Sequence, residues 1–168
     1  SFEGISRHNV TWEQVAEHTD TVLAFGGMAL KNSDVASGGI SRHIERDAMA
    51  KAARRGAIFY GISTLRDDMP KEAGGRWLPI KVGTDVALML ALAHTLLVEN
   101  LYDRDFLARY CTGFEPFERY LRGRDDNTPK DAAWAAGITG IAAGTIVDIA
   151  RRLQRGRTLI TVSHSLQR

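Results

Sequence analysis

Gly83-Thr84-Asp85 lies between a short apolar stretch, residues 77–82, and a long apolar run that starts at Val86. It therefore places a turn-forming glycine, a hydroxyl and a carboxylate at the start of a helix. The first backbone N–H groups of a helix lack intrahelical acceptors and carry partial positive charge, so phosphate or other polar ligand atoms bind there. A carboxylate beside them selects a donor-rich base. The same three residues also read as a plain turn and helix cap, and the segment alone leaves both readings open.

Other chemistry is thinly supported. No G-x-G-x-x-G follows the first strand-like segment and there is no P-loop, so the nicotinamide, flavin and nucleoside triphosphatase fingerprints are absent. Ser163-His164-Ser165 lacks both a nucleophile elbow and an acidic partner, which argues against a hydrolase. His8, His18 and His43 are scattered, and His94 sits in an apolar run with no H-E-x-x-H spacing, so no metal site is expected. The single cysteine, Cys111, excludes an internal disulfide and a multi-cysteine cluster within this chain. No residue presents itself as catalytic. The balance of 22 basic against 20 acidic residues is too even to indicate a nucleic acid partner. The longest apolar run, residues 86–98, is too short to span a bilayer, so no membrane segment is expected.

The elements that must carry these groups follow from hydrophobic periodicity. With 168 residues, 44% of them hydrophobic, the chain can bury one ordinary core, and residues 1–168 read as a single domain. Residues 11–18 form a short helix capped by Thr11. Thr21-Val22-Leu23-Ala24-Phe25 is an uninterrupted apolar strand stopping at Gly26-Gly27, followed by a long polar loop over 28–39. Helical spacing over 41–55 ends at Gly56, and a second strand covers 57–62. A short third strand, 77–82, precedes the long helix 86–99. With further helices over 103–110 and 115–121 that helix makes a helical insertion; helices over 131–136 and 139–153 follow, and Thr158-Leu159-Ile160-Thr161-Val162 closes as a fourth strand. The basic residues near 51–55 and 151–157 read as solvated helix ends. Apolar strands alternating with helices indicate an α/β domain, doubly wound, with a mainly parallel sheet. In such sheets ligands bind beyond the carboxyl ends of the strands. Four segments meet that rule: 26–33, 62–67, 83–85 and 163–168. Their convergence is the topological expectation.

These segments, in this order, resemble the Rossmann-like cofactor domain of the molybdopterin oxidoreductases, in the dimethyl sulfoxide, trimethylamine N-oxide and biotin sulfoxide reductase group. The resemblance rests on the run from Gly83-Thr84-Asp85 to His94, on Tyr102-Asp103 and Phe106-Leu107, and on Gly113-Phe114 and Tyr120-Leu121-Arg122-Gly123. Trp134-Ala135-Ala136, Gly140-Ile141 and the closing Ser165-Leu166-Gln167-Arg168 add to it. It covers nearly the whole chain. It implies that the domain grips one of two molybdopterin guanine dinucleotides of a bis-molybdopterin guanine dinucleotide molybdenum cofactor.

By that resemblance, Lys31, Asn32 and Ser33 face the phosphate and pterin portion, and Ile62 and Ser63 border the nucleoside. Gly83, Thr84 and Asp85 form the guanine or ribose end, and His164, Ser165 and Arg168 line the last edge. This chain has Ser63-Thr64 where many members carry Asp-Pro, and His164 where many carry tryptophan. The chemistry of Asp85 agrees with the implied role, because an ionised carboxylate accepts two hydrogen bonds and guanine presents N1–H and N2–H₂ side by side, whereas adenine has no such pair.

The function implied is two-electron reduction of a sulfoxide or amine N-oxide by oxygen-atom transfer in a longer enzyme. The serine that ligates the metal in that group belongs to a segment upstream of the matched region, so this chain alone is expected to be inactive and to retain no cofactor. The implied partners are the remaining domains of the same enzyme and an electron donor, protein or nicotinamide-linked. The implied compartment is the periplasm or cytoplasm of a bacterium. The alternative is a non-catalytic nucleotide-binding or interaction module of the same fold.

Overall fold

The computed structural model describes residues 10–32 and 43–162. Most of the expected loop over 28–39, the expected helix start at Ser41 and the segment 163–168 lie outside the described residues.

The chain forms two compact units, one made of residues 1–77 with 157–168 and the other of Leu78–Gly156. In the first, helix α1 (Trp12–His18) is opened by a reciprocal cap. Thr11 Oγ1 accepts from the Gln14 amide at 3.3 Å, and Gln14 Oε1 accepts from the Thr11 amide at 2.9 Å. Strand β1 (Thr21–Phe25) is buried at every position, as its unbroken apolar run requires of a central strand. Helix α2 (Glu45–Arg55) ends at Gly56, whose φ of +101° is the left-handed geometry of a helix stop. Strand β2 (Ile58–Ser63), the short strand β3 (Arg76–Pro79) and β4 (Thr158–Val162) complete a sheet of order β3-β2-β1-β4.

β1 is parallel to both neighbours. Thr21 pairs with Ile58 and Thr158, and Phe25 pairs with Ile62 and Val162, so the three strands end level with one another. The expected α/β fold with a mainly parallel sheet and a helical insertion is present. β4 departs from the expectation of apolar burial throughout, because Ile160 and Val162 are about half exposed on an edge strand.

Val15, Val22, Met49, Ala52 and Phe59 make the core of this unit. Arg55 is engaged rather than solvated. Its Nε donates to Ala16 O at 3.1 Å, one terminal nitrogen donates to Thr19 O and the other reaches Asp20 Oδ1 at 3.1 Å, which ties the end of α2 to the end of α1.

The second unit is built on α3 (Asp85–Val98), which buries Ala87, Leu88, Ala91, Leu92, Thr95 and Leu97. Each buried leucine contributes about 1.5–3 kcal/mol, so the inward stripe accounts for much of this unit's stability. α3 packs against α5 (Phe114–Leu121), α6 (Ala132–Thr139) and α7 (Ala143–Leu153), while α4 (Arg104–Tyr110) buries no residue. The helix expected over 139–153 begins later, at Ala143. Gly140, at φ +82°, closes α6 after Thr139, and a new helix must start beyond it. Arg151 on α7 grips Glu99 through two bonds of 2.8 Å, and that hydrogen bond holds the Glu99 carboxyl below its ordinary range.

Candidate functional site

The residues expected to bind fall into two groups, one on each unit, with a third outside the described residues. In the first unit the loops that leave β1 and β2 are joined. The Gly26 amide donates to Ile62 O and the Met28 amide to Asp68 O, each at 2.8 Å. Gly27 has φ +75°, and a Cβ there would lie 2.5 Å from Asp68 Cβ, so only glycine permits this approach.

Beyond it, Leu30–Asn32 forms a single 3₁₀ turn. Lys31 projects from that turn with its side chain 69% exposed and its Nζ 3.9 Å from Asp68 Oδ1. That distance leaves the ammonium largely free for another anion. Asn32 is in the same turn, and Ser33 lies outside the described residues.

Ile62 is wholly buried and Ser63 nearly so. The Ser63 hydroxyl donates to Leu65 O at 2.8 Å and accepts from the Trp77 indole N–H at 3.2 Å. Its hydrogen-bonding capacity goes to holding the strand end. Asp68 fixes this junction, since its backbone carbonyl accepts from the Met28 amide and its Cβ abuts Gly27.

In the second unit Gly83 turns the chain at φ +73° into α3. Thr84 stands at the N-cap position yet makes no cap bond. Its Oγ1 donates instead to Lys81 O at 2.7 Å. The Ala87 and Leu88 amides bond to Thr84 O, whereas the amides of Asp85 and Val86 have no acceptor among the described residues.

Asp85 as a residue is only 8% exposed, yet its carboxylate oxygens reach solvent and have no hydrogen-bond or ion-pair partner among the described residues. A carboxylate whose oxygens stay open to solvent can accept donors from a ligand. Here such an acceptor pair and two free amide donors stand together at an uncapped helix start. Neither a cap by Thr84 nor a pairing of Asp85 with another described residue accounts for the arrangement.

The loop that presents this start is anchored from behind. The Lys81 amide donates to Thr139 O at 3.1 Å. Buried Thr139 donates from Oγ1 to Ala135 O at 2.8 Å and accepts from the Ile141 amide at 3.1 Å. Sequence reading passed over Lys81 and Thr139; their only signal was Gly140, which marks the helix end that brings Thr139 into place.

His164, Ser165 and Arg168 lie outside the described residues. His94 on α3 is half-buried, and burial pushes its pKa down, against the nearby Asp131 carboxylate and with the help of Arg122. Among the described residues no group of three or more His, Cys, Asp or Glu is placed to hold a metal ion, and no single helix is long and apolar enough to cross a membrane.

No family model matches the chain. Individual proteins do. The chain is 41% identical over 158 residues to biotin sulfoxide reductase of Cereibacter sphaeroides, covering 94% of this chain and 21% of that protein. It is 34% identical over 164 residues to dimethyl sulfoxide/trimethylamine N-oxide reductase of Rhodobacter capsulatus, and 38% identical over 171 residues to trimethylamine-N-oxide reductase 1 of Escherichia coli K12. Each of these alignments covers 98% of this chain and 20% of the relative. The chain belongs to this S-oxide and N-oxide reductase group. It spans about one fifth of the length of the curated relatives it matches. Among solved structures, acetylene hydratase from Pelobacter acetylenicus shares the fold, with a TM-score of 0.66 and 23% identity over 88% of this chain and 18% of that one. Within the reductase group, then, the uncapped start of α3 belongs to a segment continuous with the relatives over nearly all its residues.

Proposed function

We propose that this chain is the dinucleotide-gripping segment of a molybdenum-dependent S-oxide or N-oxide reductase, a single functional domain that binds the guanosine end of a molybdopterin guanine dinucleotide. The observation that carries the reading is the Asp85 carboxylate, on a residue only 8% exposed and without a partner among the described residues, beside two free amides at the start of α3. Its two acceptor oxygens match the two adjacent donors of guanine, and the amides match acceptor atoms of the base, ribose or phosphate. Lys31, exposed beside the β1 loop, supplies a cation for a phosphate, with Asn32 and Ser33 next to it. Ser63, its hydroxyl already engaged, borders the nucleoside through Ile62 and the backbone rather than through a hydroxyl contact. His164, Ser165 and Arg168 complete the edge on the strength of the resemblance.

When bound, the molybdenum cofactor supplies two-electron oxygen-atom removal from an S-oxide or N-oxide. The residues of this chain bind and orient it; none of them is assigned to the reacting atoms. The remaining domains of the same enzyme and an electron donor complete the activity.

The test is a protein-observed NMR titration with GDP and ADP, on the chain and on Asp85→Asn. Saturable shifts at 26–32, 62–67 and 83–86 with GDP, diminished with ADP and by the substitution, support the reading. Equal response to both nucleotides removes the role given to Asp85 and favours a general nucleotide-binding module.

A further inference from the structure

We infer that Thr139 is a positioning residue for the purine end of the site, acting through Lys81 to hold Thr84 away from the helix that Thr84 would otherwise cap. The inference rests on the guanine reading given above.

A threonine at an N-cap position ordinarily turns its hydroxyl back to accept an amide two or three residues on. Had Thr84 done so, the start of α3 would be closed by the chain itself and less open to a ligand. It does not, because its Oγ1 donates to Lys81 O at 2.7 Å and its amide converges on the same oxygen at 3.3 Å. Lys81 O can hold that position because the Lys81 amide is fixed to Thr139 O at 3.1 Å.

Thr139, in turn, has no freedom to move. It is 1% exposed, and its hydroxyl is bonded on both sides, to Ala135 O within α6 and to the Ile141 amide beyond the helix end. The left-handed Gly140 between them lets the chain reverse so that Thr139 O is left for Lys81 rather than for another turn of helix. Gly140 also lies against the Lys81 side chain, where a Cβ would stand 3.6 Å from Lys81 Cε. The relay therefore runs from Ile141 through Thr139 and Lys81 to Thr84, and all its members belong to one compact unit. Its product is a helix start with a free carboxylate and free amides. A small displacement of Lys81 O would release the Thr84 hydroxyl to cap α3 and tilt Asp85 away from its two donors.

The experiment compares GDP and ADP affinity by calorimetry in the unmodified chain, Thr139→Val, Thr139→Ser and Thr84→Val. Valine keeps the shape of threonine and removes the hydroxyl; serine restores it. The expected result is a fall of at least five-fold in the GDP over ADP preference in Thr139→Val, regained in Thr139→Ser, and a preference kept in Thr84→Val, which has no hydroxyl with which to cap α3. A merely structural role would lower the melting temperature without altering that ratio. An unchanged ratio in Thr139→Val, or a lost preference in Thr84→Val, with guanine preference intact in the unmodified chain, overturns the relay alone. Absence of guanine preference in the unmodified chain removes the reading beneath it and the relay with it. Thr84→Val keeps the experiment decisive if Thr139→Val fails to fold, because Thr84 is only half-buried and a side chain that cannot cap α3 must leave the preference in place if the relay acts as inferred.

Discussion

Replacing Asp85 with asparagine changes one atom of a buried side chain and inverts half of its hydrogen-bonding pattern. With guanine, the carboxylate accepts from N1–H and N2–H₂, two bonds to a charged acceptor worth about 1.5–3 kcal/mol each. Asparagine retains one acceptor for N1–H but turns an amino group towards the N2 amino group, so one bond is lost and the other is no longer charge-assisted. The expected loss is about 2–3 kcal/mol, or roughly 30- to 150-fold in GDP affinity.

Xanthine carries a carbonyl at position 2 in place of the amino group. Asp85→Asn should therefore prefer XDP over GDP, reversing the order of the unmodified chain. The fold should tolerate the change. The carboxylate has no partner to lose among the described residues, and its favourable interaction with the start of α3 is worth only about 0.3–1 kcal/mol. Calorimetry with GDP, ADP and XDP on both proteins, with melting curves as a control, reads all of this. A GDP affinity within three-fold of the original, or no gain for XDP, refutes the assignment of Asp85 to the base. Loss of folding cannot mimic a reversal of preference.

Three further outcomes follow from other parts of the structure. Gly27→Ala forces an L-residue into φ +75° and drives a Cβ against Asp68, so it should destabilise the first unit by about 2–4 kcal/mol in denaturant melts; a loss below 0.5 kcal/mol, the size of an ordinary surface substitution, would contradict the close approach of the two loops. Arg55→Ala removes donors from Ala16 O and Thr19 O as well as a half-exposed ion pair with Asp20, and should destabilise by about 2 kcal/mol, nearly all from the carbonyl bonds, so the effect should persist at high salt. Because burial lowers the pKa of His94, the folded chain favours its neutral ring; that stability is present above the ordinary value near 6.5 and is lost as pH falls through it towards the lowered folded value. Melting temperatures taken from about pH 7.5 down to about 5.5 should fall, and less so in His94→Gln; equal pH dependence in both proteins would show that burial does not bear on this ring.

The strands were legible wherever burial on both faces forces an unbroken apolar run. β1 and β4 occupy the residues their composition predicts, and β2 is displaced by one, because Ser63 extends the ladder past the last apolar residue. β3 differs from its expected 77–82 at both ends: it starts at Arg76 and stops at Pro79, which lacks the N–H that a ladder needs, although Ile80 and Val82 have strand composition. The break between the last two helices, expected at 137–138, falls instead at 140–142, because alanine-rich sequence continues α6 as far as Thr139 and the left-handed Gly140 ends it there.

At the site, a turn at Gly83 and a helix from Asp85 could be read from residue types. That the Thr84 hydroxyl turns away from the helix, and that Asp85 lacks a partner, could not, since both depend on Lys81 and Thr139, separated by more than fifty positions in the chain. Ser63 shows the converse: its type suggested a ligand contact, but Trp77 and Leu65 had prior claim on its hydroxyl.

The division of the first unit into two stretches also sets the order in which the protein can assemble. Leu78–Gly156 is contiguous and can collapse on its own as it is synthesised, whereas the sheet gains β4 only once Arg157 and the residues after it have emerged. Until then one edge of β1, the most deeply buried strand, stands unpaired and open to strands from other chains. Closing a flexible loop of roughly 80 residues carries an entropic penalty of about 4 kcal/mol, and a helical unit that has already formed shortens the free chain that must be closed. Early formation of α3, α6 and α7 thus works as an internal folding aid, and a nascent chain stalled before β4 is the species most prone to aggregate.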